Sequence, residues 1–125
     1  MNIIICGAGR VGFTIAKQLS EQGHSITVID QSSEDIQKIN DSLDVKAIVG
    51  KATYPSILEK ANAPETDMII AVTRNDEINM LICQILYQFF NVCKSLLRRL
   101  IILMKGMVDL FNLASDEACM LVNSV

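Results

Sequence analysis

Residues 3–12 read Ile-Ile-Ile-Cys-Gly-Ala-Gly-Arg-Val-Gly, an apolar run that enters the turn Gly7-x-Gly9-x-x-Gly12. Val11, Ile15 and Leu19 follow at four-residue spacing, the period of a helix with one buried face. That order predicts a strand, a tight turn and a helix. Gly7 permits the turn, Gly9 lets a pyrophosphate approach the backbone, and Gly12 lets the helix pack close to the strand. The helix N-terminus then presents free N–H groups and a positive dipole end to a phosphate. The glycine pattern alone is common, so its context decides what it means.

The context is supplied in order along the chain. Glu21-Gln22-Gly23-His24 reads as a helix stop with Gly23 at C′. The β-branched run Ser25 to Ile29 is a second strand, and it ends on Asp30, 18 residues after Gly12. A dinucleotide fold places an acidic residue there to accept hydrogen bonds from the adenosine ribose. A carboxylate at that point also repels a 2′-phosphate, which favours NAD over NADP. Ser32 to Asp35 supplies caps and first-turn acids for a second helix, whose apolar face is Ile36, Ile39 and Leu43. Val45 to Val49, ended by Gly50, is the third strand. Thr53 and Pro55 mark the start of a short helix reaching about Asn62, and Ala63-Pro64-Glu65-Thr66 breaks it. Met68 to Val72 is a continuous apolar strand suited to the centre of a parallel sheet.

The expected fold class is therefore α/β, a Rossmann-like doubly wound parallel sheet in a single domain with an irregular C-terminal edge. Ligands of such sheets gather beyond the C-terminal strand ends, so Gly7, Asp30, Gly50 and Thr73 should share one edge. The next helix is expected over about Asp76 to Phe90, burying Ile78, Leu81, Ile82, Ile85 and Phe89. Its Asn79 and Gln88 read as solvated positions.

Composition narrows the function classes. The chain of 125 residues is 50% hydrophobic and 20% charged, which reads as globular. A net charge of −3, with no basic block in the first ninety residues, argues against nucleic acid as the main partner. No signal peptide and no membrane span are expected. The four cysteines, Cys6, Cys83, Cys93 and Cys119, lack metal-ligand spacing, and His24 stands alone, so no metal site is expected. A dehydrogenase needs an acid–base group near the nicotinamide. His24 precedes the second strand and so lies towards the opposite edge, and neither Tyr54 nor Tyr87 has a lysine four residues on. The expectation is a non-enzyme.

The stretch Gly7-Ala8-Gly9-Arg10-Val11-Gly12 resembles the opening of the NAD-binding regulatory domain of the bacterial Trk potassium-uptake system, of the KTN/RCK Rossmann family. Val28-Ile29-Asp30, Gly50-x-Ala52 with Pro55-x-x-Leu58, and Asp67 before the fourth strand match in order and spacing. Thr66 departs from the small apolar residue expected beside Asp67. The most specific match is Ala71-Val72-Thr73-x-x-Asp76-Glu77-x-Asn79-Met80. The resemblance implies regulation: binding of NAD(H), or adenine nucleotides in related members, coupled to a membrane-embedded potassium-translocating subunit. It implies a cytoplasmic protein, peripheral on the inner face of the membrane, that forms a homodimer or higher homo-oligomer. By position, Gly7, Ala8, Gly9, Arg10 and Val11 would wrap the pyrophosphate, and Asp30 would hold the ribose. Thr73 and Arg74 would border the nicotinamide side, and Arg98 would stand where the family has a cofactor-touching arginine of the fifth strand.

The resemblance covers roughly residues 1–94. Residues 95–125 read as a degenerate or divergent edge of the same domain. Leu96 to Met104 is open to strand or helix, Val108 to Phe111 to a sixth strand, and Ser115 to Glu117 to a helix cap. A changed reading frame near Ser95 is preferred to a natural shortened edge, with the tail expected to pack poorly. The chain is also expected to lack the ligand-sensing domain and second tandem unit of fuller members. Alternative functions are a vestigial fragment without cofactor binding and a dehydrogenase cofactor domain.

Overall fold

The computed structural model describes residues 1–75, 77–82, 85 and 99–101. Arg98, Gln88, Phe89, Cys83, Cys93, Cys119 and the candidate elements after residue 101 lie outside the described residues. Strand β1 (Asn2–Cys6) leads through the glycine turn into helix α1 (Arg10–Glu21). Then come β2 (Ser25–Asp30), α2 (Ser33–Ser42), β3 (Lys46–Val49) and α3 (Pro55–Lys60). A single 3-10 turn at Ala63–Glu65 precedes β4 (Met68–Ala71), and β5 (Arg99–Ile101) closes the series. Residues 77–82 are helical.

The sheet order is β3-β2-β1-β4-β5, and every pair is parallel. The direction of winding reverses at β1, between β2 on one side and β4 on the other, which makes the C-terminal end of β1 the switch point. Both faces are covered, so the strands read as continuous apolar runs rather than alternating ones. Ile4, Cys6, Ile29, Ile69 and Ala71 face α3 and Ile82. Ile3, Ile5, Ile26, Val28 and Ile70 face Ala16 of α1 and Ile36 and Ile39 of α2. Each fully buried isoleucine contributes about 1.5–3 kcal/mol by leaving water.

Local signals act as expected in most places. Ser32 caps α2, its Oγ accepting from the Asp35 N–H at 3.3 Å. Gly23, at φ 87°, follows the end of α1. The cap of α3 is Tyr54 rather than Thr53, because Pro55 already takes the first helical position. Thr66 is buried, and its hydroxyl donates to the Asn62 carbonyl at 3.0 Å, so a polar residue is accommodated where an apolar one was expected. The open reading of Leu96 to Met104 resolves in part: Arg99–Ile101 is a strand in register with Met68–Ile70.

The expected stripe on the helix after β4 is corrected. Ile78 and Leu81 are exposed, while Asn79 and Ile82 are fully buried. The buried face runs through Asn79, Ile82 and the half-buried Ile85, three residues apart. Asn79 turns inwards because it has backbone partners to satisfy there, as described below.

Candidate functional site

Three strand ends and the glycine turn surround one groove of about 550 Å³. On the β2–β3 side it is lined by Asp30, Ser32 and Asp35, with Gly50 to Thr53 beyond. Gly7 and Gly9 form its centre, and Val72 to Asn75 with Ile78 and Ile82 form the β4 side. The expected shared edge of Gly7, Asp30, Gly50 and Thr73 is thus the rim of a single groove. Its volume falls within the range of ligand sites.

The centre is built by close backbone packing. Gly7 has φ 119°, a conformation that favours glycine. Its N–H donates to the Ile29 carbonyl at 2.8 Å, which ties the turn to β2. A Cβ on Gly7 would meet the Val72 carbonyl oxygen at 2.8 Å, and one on Gly12 would meet the Gly7 carbonyl oxygen at 1.8 Å. Helix, turn and β4 end are therefore stacked backbone on backbone. Gly9 differs, because a Cβ there would meet nothing within 4 Å. Gly9 is also the N-cap of α1, with no side-chain cap and no acidic residue in the first turn. The N-terminus of α1 therefore carries first-turn N–H groups without a side-chain cap, next to that open space.

Asp30 ties this centre to the β2 side. Its Oδ2 accepts from the Ala8 N–H at 2.7 Å and its Oδ1 from the Ser32 N–H at 2.8 Å. An ionised carboxylate has about four acceptor positions, so two remain for a ligand's hydroxyls. Ala8 itself is buried, and Arg10 and Val11 are exposed at the start of α1, outside the groove lining. Arg74 lines the groove and is exposed. Lys51 also lines it, with its ammonium 5.7 Å from the centre of the Tyr54 ring, within cation–π range.

Sequence reasoning missed Asn79. Its Oδ1 accepts from the Thr73 N–H at 2.8 Å and the Thr73 hydroxyl at 2.6 Å, and its Nδ2 donates to the Thr73 carbonyl at 3.3 Å. One amide side chain thereby satisfies both backbone groups of Thr73. The available signal was the polar residue inside the specific Ala71–Met80 match, which helical periodicity alone assigns to water.

Beneath the turn, burial and then the nearby Asp30 carboxylate push the Cys6 thiol up from 9.0 to about 12. A raised thiol pKa favours folding fully below pH 9, and that contribution declines as pH climbs from 9 through about 12. The slope approaches about 1.4 kcal/mol per pH unit within that window. Cys6→Ala should therefore lose less stability than the parent between neutral and strongly alkaline pH. Urea midpoints across that range check it, and parallel curves for the two chains would contradict it.

Comparison with known proteins agrees with this architecture. The TrkA-N domain model matches residues 3–100. The Trk system potassium uptake protein TrkA of Azorhizobium caulinodans is 44% identical over 92 residues, 74% of this chain and 20% of its own length. A TrkA homolog of Methanothermobacter thermautotrophicus is 37% identical over 98 residues, 78% of this chain and 45% of that protein. The chain thus spans about a fifth of the first of these relatives. Both carry the name of potassium uptake proteins. The GsuK channel bound to NAD superposes with a TM-score of 0.72 at 18% identity, over 97% of this chain and 20% of that one, a likeness of fold. Among the described residues no helix is long and apolar enough to cross a membrane. Glycine turn, switch-point groove and matched residues 3–100 all lead to one assignment: the chain belongs to the TrkA-N domain family.

Proposed function

We propose that this chain is an NAD(H)-binding regulatory domain of a potassium-uptake system, and not an enzyme. The observation that carries the reading is the groove centre, where Gly9 leaves open space before the uncapped N-terminus of α1 and Asp30 stands beside it. A pyrophosphate would lie against Gly9 and the α1 N–H groups. The Asp30 carboxylate would accept from the ribose hydroxyls with its two remaining acceptor positions. Ala8, Arg10 and Val11 would flank the pyrophosphate and Thr73 and Arg74 the nicotinamide side, and by the resemblance Arg98 would be a further cofactor-touching arginine. An adenine nucleotide would use the Asp30 side and the glycine turn, without the β4 side.

The wider role rests on the relatives. Nucleotide state would be passed to a membrane-embedded potassium-translocating subunit, with this chain cytoplasmic, peripheral to the membrane and a homodimer or higher homo-oligomer. The division near residue 94, with a divergent edge after it, belongs to the same reading, and the nucleotide sequence around the Ser95 codon tests its cause.

Titration of the purified chain with NADH, followed by fluorescence or calorimetry, tests the binding role. Saturable binding is expected, displaced by NAD+, with NADPH weaker by more than about tenfold, or 1.4 kcal/mol, for the charge it would bring to Asp30. A folded chain with no saturable binding would instead be the vestigial fragment.

A further inference from the structure

We propose that Asn79 is the positioning residue that holds the Thr73–Asn75 loop and thereby sets affinity for the half of a dinucleotide beyond its pyrophosphate. The inference rests on the reading of the groove as an NAD(H) site. The strand order β3-β2-β1-β4 puts the groove's two sides in sequence, with the glycine turn between them. A dinucleotide with its pyrophosphate over the turn and its adenosine towards Asp30 must extend its other half across the end of β4. That wall is Val72 to Asn75.

The wall is an irregular segment: the Val72 N–H donates to the Cys6 carbonyl at 2.8 Å, and the Thr73 hydroxyl accepts from the Asn75 N–H at 3.3 Å and lies 3.1 Å from the Asn75 carbonyl. Arg74 and Asn75 are exposed. Asn79 is fully buried and takes up the N–H, the hydroxyl and the carbonyl of Thr73 together. Asn75 completes the fixing from the helix side: its Oδ1 accepts from the Ile78 N–H at 3.1 Å, and its carbonyl accepts from the Asn79 N–H at 3.0 Å. The same Thr73 peptide lies against Gly7, since a Cβ on Gly7 would stand 3.0 Å from the Thr73 nitrogen. Asn79 therefore stands behind the wall and touches no ligand position itself. Its removal frees the wall on one side of the turn and leaves the Asp30 side intact. A general loss of structure would weaken every nucleotide alike, whereas a positioning role separates the two halves.

The experiment compares NADH with ADP, measured as a competitor of NADH up to millimolar concentration, on the full chain. ADP keeps the adenosine and pyrophosphate but lacks the second ribose and nicotinamide. Asn79→Ala should weaken NADH by about tenfold or more and ADP by less than about threefold. Thr73→Val, which removes only the hydroxyl, should show the same split at smaller size, and it carries the test if Asn79→Ala does not fold. Equal loss for both ligands, or no loss for either, overturns the proposal. So does a parent chain that binds NADH but gives no competition by ADP, because the adenosine side would not then stand alone. A parent chain that binds neither ligand overturns the NAD(H) reading itself, a result distinct from equal losses in a parent that binds both.

Discussion

Gly12→Ala is expected to destabilise the chain strongly, while Gly9→Ala, three residues earlier, is expected to leave its stability nearly unchanged and impair only binding. The two positions sit in one motif but meet opposite surroundings. A methyl on Gly12 would stand 1.8 Å from the Gly7 carbonyl oxygen. Gly7 cannot retreat, because its N–H is bonded to the Ile29 carbonyl and the space on its other side ends at the Val72 carbonyl oxygen, 2.8 Å from where a Cβ on Gly7 would stand. The strain must therefore lift α1 from the sheet, and with it the buried Ala16 from Ile3, Ile5 and Val28. Overpacking against immobile backbone costs about 3 kcal/mol or more, which lowers Tm by about 10 °C or more in a domain of this size. A methyl on Gly9 meets no heavy atom within 4 Å, and its φ of −73° suits any residue. Stability should stay within about 1 kcal/mol of the parent, the usual cost of exchanging a glycine cap. NADH affinity should fall by about tenfold or more, because the methyl occupies the space in which a pyrophosphate would lie. Thermal melts and NADH titration of both variants check the pair. Parent-like NADH binding by a folded Gly9→Ala would remove the pyrophosphate from this turn.

That contrast marks what residue order alone conveys. The glycine motif predicts both a close packing contact and a ligand contact, and the structure separates them only by what each Cβ would meet. The alternation of strands and helices was legible because Gly7, Asp30, Gly50 and Thr73 punctuate apolar runs too short to be helices. The groove followed from it, since parallel strands bring their C-terminal ends to one edge. Asn79 was not legible. Periodicity sends a polar residue in a helix to the solvent, and nothing local says that a loop six residues upstream needs its carbonyl oxygen and amide. Ile78 and Leu81 were misassigned for the same reason, because the helix is oriented by the buried bonds of Asn79 and by Ile82, not by its largest apolar count. The strand at Arg99–Ile101 was undecided for another: an apolar stretch interrupted by the adjacent Arg98 and Arg99 follows neither the period of 2 nor that of 3.6.

Asp30→Ala is expected to be the most damaging single change to binding that still leaves a folded chain. The carboxylate serves two structures at once. Within the protein it ties the Ala8 N–H of the glycine turn to the Ser32 N–H that opens α2. Towards the groove it keeps its remaining acceptor positions for a ribose. Alanine orphans both N–H groups. They are half-buried, so water repairs part of the loss, and about 2 kcal/mol of destabilisation is expected. For NADH the loss is larger in proportion: two charge-assisted hydrogen bonds to ribose hydroxyls and a loosened turn amount to about 3 kcal/mol, or roughly a hundredfold in Kd. Asp30→Asn separates the contributions. It keeps one acceptor oxygen but turns an amide NH2 towards one of the two backbone donors, so its stability should fall between the parent and Asp30→Ala. Its charge is gone, so the preference for NADH over NADPH should collapse towards equality even where absolute affinity is poor. Titration of both cofactors against the three chains decides between these roles. If Asp30→Asn retained full discrimination against NADPH, the repulsion would have to come from elsewhere in the groove, and Asp35 is the one other carboxylate among its described lining residues.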